Sequence, residues 1–361
     1  MLIKNVETIT LKIPFDDLYT GPRHNEHGWT HFDAVLVKVT SEDGQVSWGE
    51  AFAYNCANAV RAAVMDMVAP LVVGRRIEDI PAFNLEIQKA LHIWGRYGIT
   101  IFALSGLDIA LWDLAAKQAG KCLATYLGGR KRDKVPAYAS LVRYGEPQPV
   151  TAIAVQAVAE GYADVKLHEI TYENIAAGRE AVGKEVRLTT DVNCHWSIAE
   201  AEAILPRLKE LDLLWVEEPI FPPEDYDTLR RLGRFGVPLS AGENACTAME
   251  FTRLAAALTY PQPSVTKLGG VSEFLKVASH AKALGKTLMP HSPYFGPGYW
   301  ATLQLAAHLD QIGMFEFLYV KPAAWMGIDI PLPSQGKIAI PDKPGIGFIP
   351  DETALERYRV A

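Results

Sequence analysis

The feature that most constrains the fold is a repeat in the second part of the chain. From residue 135 onward, short apolar segments alternate with helical stretches such as 199–211 and 271–284. The predicted strands lie near residues 136–141, 164–168, 187–191, 213–217, 237–242, 264–268, 286–290 and 313–317. Alternation of buried strands with helices is typical of parallel sheets, and eight such units in roughly 200 residues predict a closed β/α barrel of the TIM type.

The chain before this repeat follows a different pattern. Apolar and polar residues alternate in 3–13 and 34–40, which predicts a small antiparallel sheet. Residues 57–127 have helical periodicity, and the stretch 99–117 is apolar on almost every side, as in a helix buried between domains. Two glycines and a charged segment then predict a domain boundary near residue 130.

Two segments fit neither pattern. Residues 16–29 form a long loop rich in Arg, His and aromatic groups, which is typical of functional lids. The alternative is a surface loop without a role in the site. Residues 340–350 fit no ninth repeat, and we expect them to fold back onto the N-terminal part. The predicted domains are therefore an α+β unit of residues 1–130, completed by a tail of residues 335–361, and a barrel of residues 131–334.

The composition excludes several kinds of partner. A formal charge of −7 without a run of Lys and Arg provides no surface for nucleic acid or an anionic membrane. The four cysteines form no C-x-x-C pair, so neither a zinc site nor a disulfide framework is indicated. The N-terminus lacks the plan of a signal peptide, and we expect no apolar run of membrane-spanning length. A cytoplasmic protein with a small-molecule partner is the expectation.

Three successive predicted strands end on an acidic residue. These residues are Asp191, Glu217 and Glu243, each 26 residues after the previous one. Functional groups of such barrels lie at the C-terminal ends of the strands, so the three should converge. Carboxylates this close repel one another unless a cation lies between them, and oxygen ligands without Cys or His favour Mg²⁺, or Mn²⁺, over Zn²⁺. The alternative, in which each acid caps a helix or pairs with Lys or Arg, does not explain their common register.

The neighbouring predicted strands end on basic residues. Lys166 and His168 are two residues apart and therefore share a face of the second strand. A nearby cation should lower the pKa of Lys166, which would suit it to bind a carboxylate or to take a proton. His291 closes the seventh strand on the opposite side. The sequence thus predicts a base on each face of a substrate, with a solvated lysine and a core histidine as the structural alternatives.

Three further residues lie near this predicted site. Glu316 ends the eighth strand and could hydrogen-bond a developing enolate as an acid, or form a structural ion pair. His195 lies in the loop after Asp191 and could protonate a leaving hydroxide, or simply lie on that loop. Glu218, one residue past a strand end, should point away from the cation and form an ion pair behind it.

These motifs resemble the enolase superfamily, specifically its mandelate racemase-like group. The resemblance spans nearly the whole chain and rests on Asp191-Val-Asn193, Trp215-Val-Glu-Glu-Pro219, Gly242-Glu-Asn244, Lys267-Leu-Gly-Gly270, His291 and the segment 108–117. It implies a modified β/α barrel with an α+β capping domain, and Mg²⁺ with a Lys or His base that enolises a carboxylic acid. The substrate contacts it suggests, from the capping loops and the barrel motifs, are Arg23, His24, Trp29, Tyr54, Asn193 and Lys267.

Two positions depart from that family pattern. The Lys-x-Lys of members with two opposed bases is Lys166-Leu-His168 here, and the aspartate that usually partners the seventh-strand histidine is Ser264. Without that carboxylate, an imidazolium at His291 lacks a stabilising partner. Ser264 also excludes the lysine expected of muconate-lactonising and dipeptide-epimerising relatives.

The function that these features favour is dehydration of an acid sugar. Removal of the proton α to the carboxylate, by His168 or His291, would give a metal-stabilised enolate, and His291 or His195 would protonate the departing hydroxyl. The same enolate permits racemisation, epimerisation or cycloisomerisation of a sugar lactone. A metal-independent glycosidase and a non-catalytic sugar-acid binding protein are more remote alternatives. We expect a homo-oligomer, as is common for enzymes of this size.

Overall fold

Two sheets organise the computed structural model, which describes residues 1–22 and 29–360. Its strands are β1 (Ile3–Asp16), β2 (His31–Ser41), β3 (Val46–Phe52), β4 (Lys134–Ser140), β5 (Asp164–Leu167), β6 (Arg187–Asp191), β7 (Leu213–Glu217), β8 (Leu239–Ala241), β9 (Tyr260–Pro261), β10 (Phe315–Leu318), β11 (Lys321–Pro322) and β12 (Lys337–Ala339). Its helices are α1 (Ala57–Ala62), α2 (Ile80–Ala90), α3 (Ile99–Gln118), α4 (Leu123–Tyr126), α5 (Pro147–Ala159), α6 (Tyr172–Val182), α7 (Ile198–Leu208), α8 (Tyr226–Leu232), α9 (Ala248–Ala257), α10 (Gly270–Ala283), α11 (Pro297–His308) and α12 (Glu352–Arg357). Short 3-10 or π-helical segments occur at Ala63–Val68, Ala69–Leu71, His92–Trp94, Lys209–Leu211 and Gly233–Phe235.

The N-terminal sheet is antiparallel and has the order β11-β1-β2-β3. Its register pairs Val6 with Val39 and Val37 with Gly49. Helix α3 packs directly on this sheet, and a Cβ at position 49 would come within 1.8 Å of the Gly106 carbonyl oxygen. Glycine is therefore needed where the helix and the strand approach most closely. The predicted antiparallel sheet is confirmed.

Helix α3 is long and apolar enough to cross a membrane by length and composition, so the expectation that no segment reaches this limit is wrong. Most of the helix is nevertheless buried inside the protein, between the N-terminal sheet and α10. Asp108 in its middle accepts hydrogen bonds from Asn84 Nδ2 at 2.7 Å and from the Ser272 N–H at 2.9 Å. The helix therefore connects the N-terminal domain to the barrel.

The second sheet is a barrel whose parallel order is β10-β4-β5-β6-β7-β8-β9. Two hydrogen bonds continue the ring from β9 towards β10: the Met289 N–H donates to Pro261 O at 3.0 Å, and the Gly313 N–H donates to Leu288 O at 2.9 Å. The expected fold, a modified β/α barrel with an α+β capping domain, is confirmed.

The helices that follow the acidic strand ends begin at caps encoded in the sequence. Helix α7 starts with a reciprocal capping box between Ser197 and Glu200, and α9 starts with the same arrangement between Thr247 and Glu250. Each box satisfies two backbone donors at a helix start. The caps therefore limit the loops that follow β6 and β8 to a few residues above the strand ends.

Two predicted strands differ from the structure. Residues 264–268 turn instead of extending, because the N–H groups of Lys267 and Leu268 both donate to Ser264 O, and the strand that pairs with β8 is the earlier β9. Residues 286–290 contribute the isolated bridge between Leu288 and Ile312 in place of a full strand. Residues 264–268 and 288–290 are buried, and periodicity does not distinguish a buried turn from a buried strand.

The C-terminal tail packs on the N-terminal domain. The Leu123 N–H donates to Gly345 O at 2.7 Å, and the Ile346 N–H donates to Asp113 Oδ1 at 2.8 Å. Two short strands cross the predicted domain limits: β11 pairs with β1 of the N-terminal sheet, and β12 pairs with β4 of the barrel. The exact domain boundaries stay a prediction.

Candidate active site

The three acidic residues meet at one end of the barrel. Asp191 and Glu217 are register partners at the ends of β6 and β7, and Glu243 lies two residues beyond β8. Gly242 has a φ of +135°, where a Cβ would meet the Gln262 backbone, so glycine allows the turn that leads to Glu243. One oxygen of each carboxylate lies within 4.8 Å of the other two. The structure thus brings the predicted ligands together.

The charges around these acids shift their pKa values. Burial and the Asp191 carboxylate raise the pKa of Glu217 well above its usual range. Burial would also raise the pKa of Asp191, but the Lys166 ammonium and the hydrogen bonds and charge of His168 and Glu217 together outweigh it, and the pKa is lowered. Opposed shifts are expected for carboxylates that share a site. The set of three oxygen donors fits a hard divalent cation such as Mg²⁺, which would relieve the repulsion.

The Lys166 side chain is fully buried among these acids. Its Nζ lies 2.7 Å from Glu316 Oε1, 3.0 Å from Glu217 Oε1 and 3.5 Å from Asp191 Oδ2. Burial alone would lower the pKa of Lys166, but the Glu217 and Glu316 carboxylates raise it well above its ordinary value. Lys166 is therefore a cation held by carboxylates, and the lowering of its pKa by a bound metal ion stays a prediction.

Glu316 in β10 is the main partner of Lys166. Its carboxylate also accepts hydrogen bonds from Ser140 Oγ at 2.8 Å and from the Ser292 N–H at 2.9 Å. Burial would raise the pKa of Glu316, but its interactions with Lys166, His291 and the Ser292 N–H together outweigh it and lower the pKa. The geometry matches the ion-pair alternative for this residue.

His168 faces the carboxylates from the end of β5. Its Nδ1 forms a hydrogen bond with the carbonyl oxygen of Leu141, and its Nε2 lies 3.4 Å from Asp191 Oδ2. A carbonyl oxygen only accepts, so Nδ1 carries a proton. In the neutral ring, the lone pair is then on Nε2.

His291 approaches from the other side. Its Nε2 lies 2.8 Å from Glu243 Oε2. Its Nδ1 lies 3.0 Å from the Tyr294 hydroxyl and 3.3 Å from Ser264 Oγ, and these two hydroxyls also contact each other. Burial raises the pKa of Tyr294, so the phenol stays protonated. Two neutral hydroxyls thus occupy the place of the carboxylate that the family pattern would supply.

A cavity of about 830 Å³ lies between the barrel strand ends and the N-terminal sheet. Lys267, which lines it, is 5% exposed and its Nζ lies 4.5 Å from the centre of the Phe52 ring. The predicted site residues that line the cavity are Trp29, Tyr54, His168, Asn193, Glu243, Lys267, His291 and Glu316. Both domains therefore form its wall.

His195 is exposed and does not line the cavity in the described part of the chain. Arg23 and His24 lie outside the described residues. Glu218 lacks the expected ion pair among the described residues; its carboxylate accepts from the Gly242 N–H at 3.0 Å and from Cys194 Sγ at 3.4 Å. Burial and the Glu243 carboxylate raise the pKa of Glu218 to about 8.

Arg143, Glu50 and Tyr294 are among the cavity residues that were not selected from the sequence. Arg143 donates from Nε to His168 O at 2.5 Å and from Nη2 to Asn193 Oδ1 at 2.8 Å. Glu50 is buried and accepts from the Gly298 N–H at 2.8 Å, and burial raises its pKa to about 7. Arg143 and Tyr294 follow the ends of predicted strands, the same signal that selects the acids.

Two family profiles match the chain. The profile described as enolase C-terminal domain-like matches residues 150–354, and that of the mandelate racemase / muconate lactonizing enzyme N-terminal domain matches residues 25–128. The chain belongs to the enolase superfamily. Within this superfamily, arabinonate dehydratase of Saccharolobus solfataricus is 31% identical over 91% of this chain and 91% of that protein.

Solved structures of the superfamily share the whole architecture. The crystal structure of a 3,6-anhydro-D-galactonate cycloisomerase from Zobellia galactanivorans is 25% identical, covers 100% of both chains and has a TM-score of 0.88. A racemase from Streptomyces coelicolor with bound magnesium is 28% identical, covers 99% of this chain and 100% of that chain, and has a TM-score of 0.86. The resemblance inferred from the motifs is confirmed, and the protein is an enolase-superfamily lyase or isomerase.

Proposed function

We propose that this enzyme binds Mg²⁺ through Asp191, Glu217 and Glu243 and removes the proton α to the carboxylate of an acid sugar. The observation that carries the proposal is the convergence of three carboxylates between two histidines at the edge of one cavity. A magnesium-containing relative of the same fold supports the choice of cation, and Mn²⁺ would fit the same donors. When bound, the cation supplies the positive charge that makes an α-proton acidic enough to remove.

His168 is the base in this proposal. Its Nδ1 proton is directed to the Leu141 carbonyl, so Nε2 offers a lone pair on the side of the acidic triad, which consists of Asp191, Glu217 and Glu243. A fixed tautomer spares the ring from rearranging its protons before it accepts one.

His291 is the proton donor. A proton on Nε2 explains the 2.8 Å contact with Glu243, because an ionised carboxylate only accepts. In its protonated form His291 carries a proton on each ring nitrogen, and the oxygen of the Tyr294 hydroxyl can accept from Nδ1 while Nε2 keeps the proton to be transferred. From there it can be given to a departing β-hydroxyl, which leaves as water while the enol that remains becomes a 2-keto acid.

Lys166 and Glu316 act together on the substrate carboxylate. Lys166 carries a positive charge next to the acidic triad. Glu316 fixes the direction of the Lys166 side chain by the ion pair at 2.7 Å. A lysine held in this way can donate a hydrogen bond to a carboxylate oxygen as negative charge accumulates on it.

Dehydration of an acid sugar is the outcome we favour. The cavity falls within the range that holds small ligands, and Asn193 and Lys267 provide polar partners for an oxygen-rich substrate. The similarity to an arabinonate dehydratase supports this choice. Cycloisomerisation is the second candidate, supported by the cycloisomerase of the same architecture, and it would use the same residues with a ring oxygen as the leaving group. Family membership does not support a glycosidase.

A product assay tests the proposal. The enzyme is incubated with Mg²⁺ and a panel of aldonic acids, aldaric acids and their lactones or anhydro forms, and the products are analysed by mass spectrometry and NMR. A product lighter by one water indicates dehydration, whereas an isomer of equal mass indicates cycloisomerisation or epimerisation. If the enzyme consumes none of these acids, the proposal fails.

We also expect a homo-oligomer in the cytoplasm, with neither nucleic acid nor membrane as a partner. The formal charge of −7 argues against binding to polyanions. Light scattering of the purified protein checks the oligomeric state.

A further inference from the structure

We propose that Glu218 is a positioning residue, which holds the three strands carrying the acidic triad at the separation that a cation needs. The inference rests on the proposed cation site. It concerns a side chain that points away from the ligand oxygens and binds the two neighbouring strand ends instead.

The Glu218 carboxylate joins the strand ends on both sides of β7. One oxygen accepts from the Gly242 N–H at 3.0 Å, and the other accepts from Cys194 Sγ at 3.4 Å. Gly242 directly precedes Glu243, and Cys194 follows Asp191 by three residues. A single side chain directly after the central strand is therefore bonded close to both outer ligands.

The backbone of Glu218 also bonds to both neighbouring strand ends. Its carbonyl accepts from the Cys194 N–H at 2.7 Å, and its N–H donates to Ser240 O at 2.9 Å. The residue adopts a φ of +44°, which non-glycine residues rarely adopt. Such a conformation persists where the surroundings enforce it, and here it directs the side chain away from Glu217.

The strand ends that Glu218 joins have little other regular structure. β8 has three residues, and the chain leaves it through Gly242 with a φ of +135°. After β6 the chain turns through Asn193 and Cys194, which have φ values of +47° and +58°. Regular strand pairing therefore ends before these turns, and the Glu218 carboxylate supplies hydrogen bonds beyond it.

A role in positioning differs measurably from a role in charge. Glu218→Gln removes the ionisable group but keeps an oxygen that can accept from the Gly242 N–H. Glu218→Ala removes the acceptor. Glu218→Met also removes it while keeping most of the volume, which makes it the variant to use if the alanine variant does not fold.

Glu169 offers a matched control. It is 1% exposed, as Glu218 is, and it also follows a strand end. Its carboxylate accepts from the Tyr144 N–H at 2.8 Å and from Asn174 Nδ2 at 2.9 Å. It therefore joins the ends of β4 and β5, neither of which carries a triad residue. Glu169→Ala removes a comparable pair of hydrogen bonds away from the triad.

Calorimetric titration with Mg²⁺ measures the effect directly, after circular dichroism has shown that each variant is folded. We expect Glu218→Ala or Glu218→Met to weaken Mg²⁺ binding by about 10- to 100-fold, the usual range for partners of metal ligands. Glu218→Gln and Glu169→Ala should stay within about threefold of the wild-type protein.

Three results would overturn the inference while the cation site stands. These are unchanged binding in Glu218→Ala and Glu218→Met, binding in Glu218→Gln as weak as in Glu218→Ala, and an equal loss in Glu169→Ala. Absence of Mg²⁺ binding in the wild-type protein would instead reject the proposed function, and this inference with it.

Discussion

His168 and His291 are the same kind of residue on opposite sides of one cavity, but their Nδ1 atoms have different neighbours. Nδ1 of His168 contacts the Leu141 carbonyl, which only accepts a hydrogen bond. Nδ1 of His291 contacts the hydroxyls of Tyr294 and Ser264, which can also donate. In a neutral ring the first arrangement leaves a lone pair on Nε2, whereas the hydroxyls of the second can accept from Nδ1 of a protonated ring that also carries a proton on Nε2.

The difference teaches that groups behind a catalytic side chain can decide its role. Both imidazoles have their Nε2 near a triad carboxylate, Asp191 for His168 and Glu243 for His291. Their cavity-facing atoms alone would not distinguish a base from an acid. The partner of the other ring nitrogen does, because it fixes the tautomer.

Replacing the proposed base should have the largest effect. His168→Asn keeps a polar side chain but cannot take the α-proton, so turnover and α-proton exchange should both fall by about 10³-fold or more. Exchange followed by NMR in D₂O checks this. Exchange within tenfold of the wild-type rate would remove His168 from the role of base.

Replacing the proposed acid should separate the two steps. In His291→Asn, product formation should fall by about 10²-fold, while exchange of the α-proton stays within tenfold of the wild-type rate. Product is measured by chromatography in the sample used for exchange. Equal loss of both activities would contradict the asymmetry between the two histidines.

Removing the hydroxyls behind His291 should have a smaller effect. Tyr294→Phe should lower product formation by about tenfold, the magnitude of one buried hydrogen bond, and Tyr294→Phe combined with Ser264→Ala should lower it further. Steady-state kinetics of both variants, together with exchange rates, provide the check. A drop in exchange as large as the drop in product would mean that these hydroxyls do not act on His291 alone.

The smallest effect is expected from Asn193, which lies on the His168 side and accepts a hydrogen bond from Arg143. Asn193→Ala should raise KM a few-fold and leave kcat nearly unchanged, because one neutral hydrogen bond to the substrate is lost. Ser140, whose hydroxyl contacts Glu316, lies on another wall of the cavity, and Ser140→Ala serves as the comparison. A large fall in kcat for Asn193→Ala would place the residue in the chemical step.

Much of the site could be predicted because its residues follow regular strands. Asp191, Glu217 and Glu243 recur at the spacing of one strand and one helix, and parallel pairing then brings them together. Lys166 and His168 share a face for the same reason. Strand periodicity is a local property, so a sequence reveals it without any knowledge of long-range contacts.

The partners that distinguish the two histidines could not be predicted in this way. The acceptor for His168 is a backbone carbonyl, at Leu141, and a backbone group has no signature in the residue type. Tyr294 lies in an irregular loop, where no periodicity assigns its direction. Ser264 was recognised as a missing carboxylate, but its contact with Tyr294 depends on a buried turn that the pattern predicted as a strand.

The most direct test of the central claim is hydrogen exchange at the α-carbon of an acid-sugar substrate in D₂O. The wild-type enzyme is compared with Mg²⁺, after removal of the metal by EDTA, and after Mg²⁺ has been restored. Cation-dependent enolisation predicts deuterium at the α-carbon or in the product with Mg²⁺, loss of this incorporation with EDTA, and recovery when Mg²⁺ returns. Full turnover in EDTA, or turnover with the α-proton retained, would contradict it.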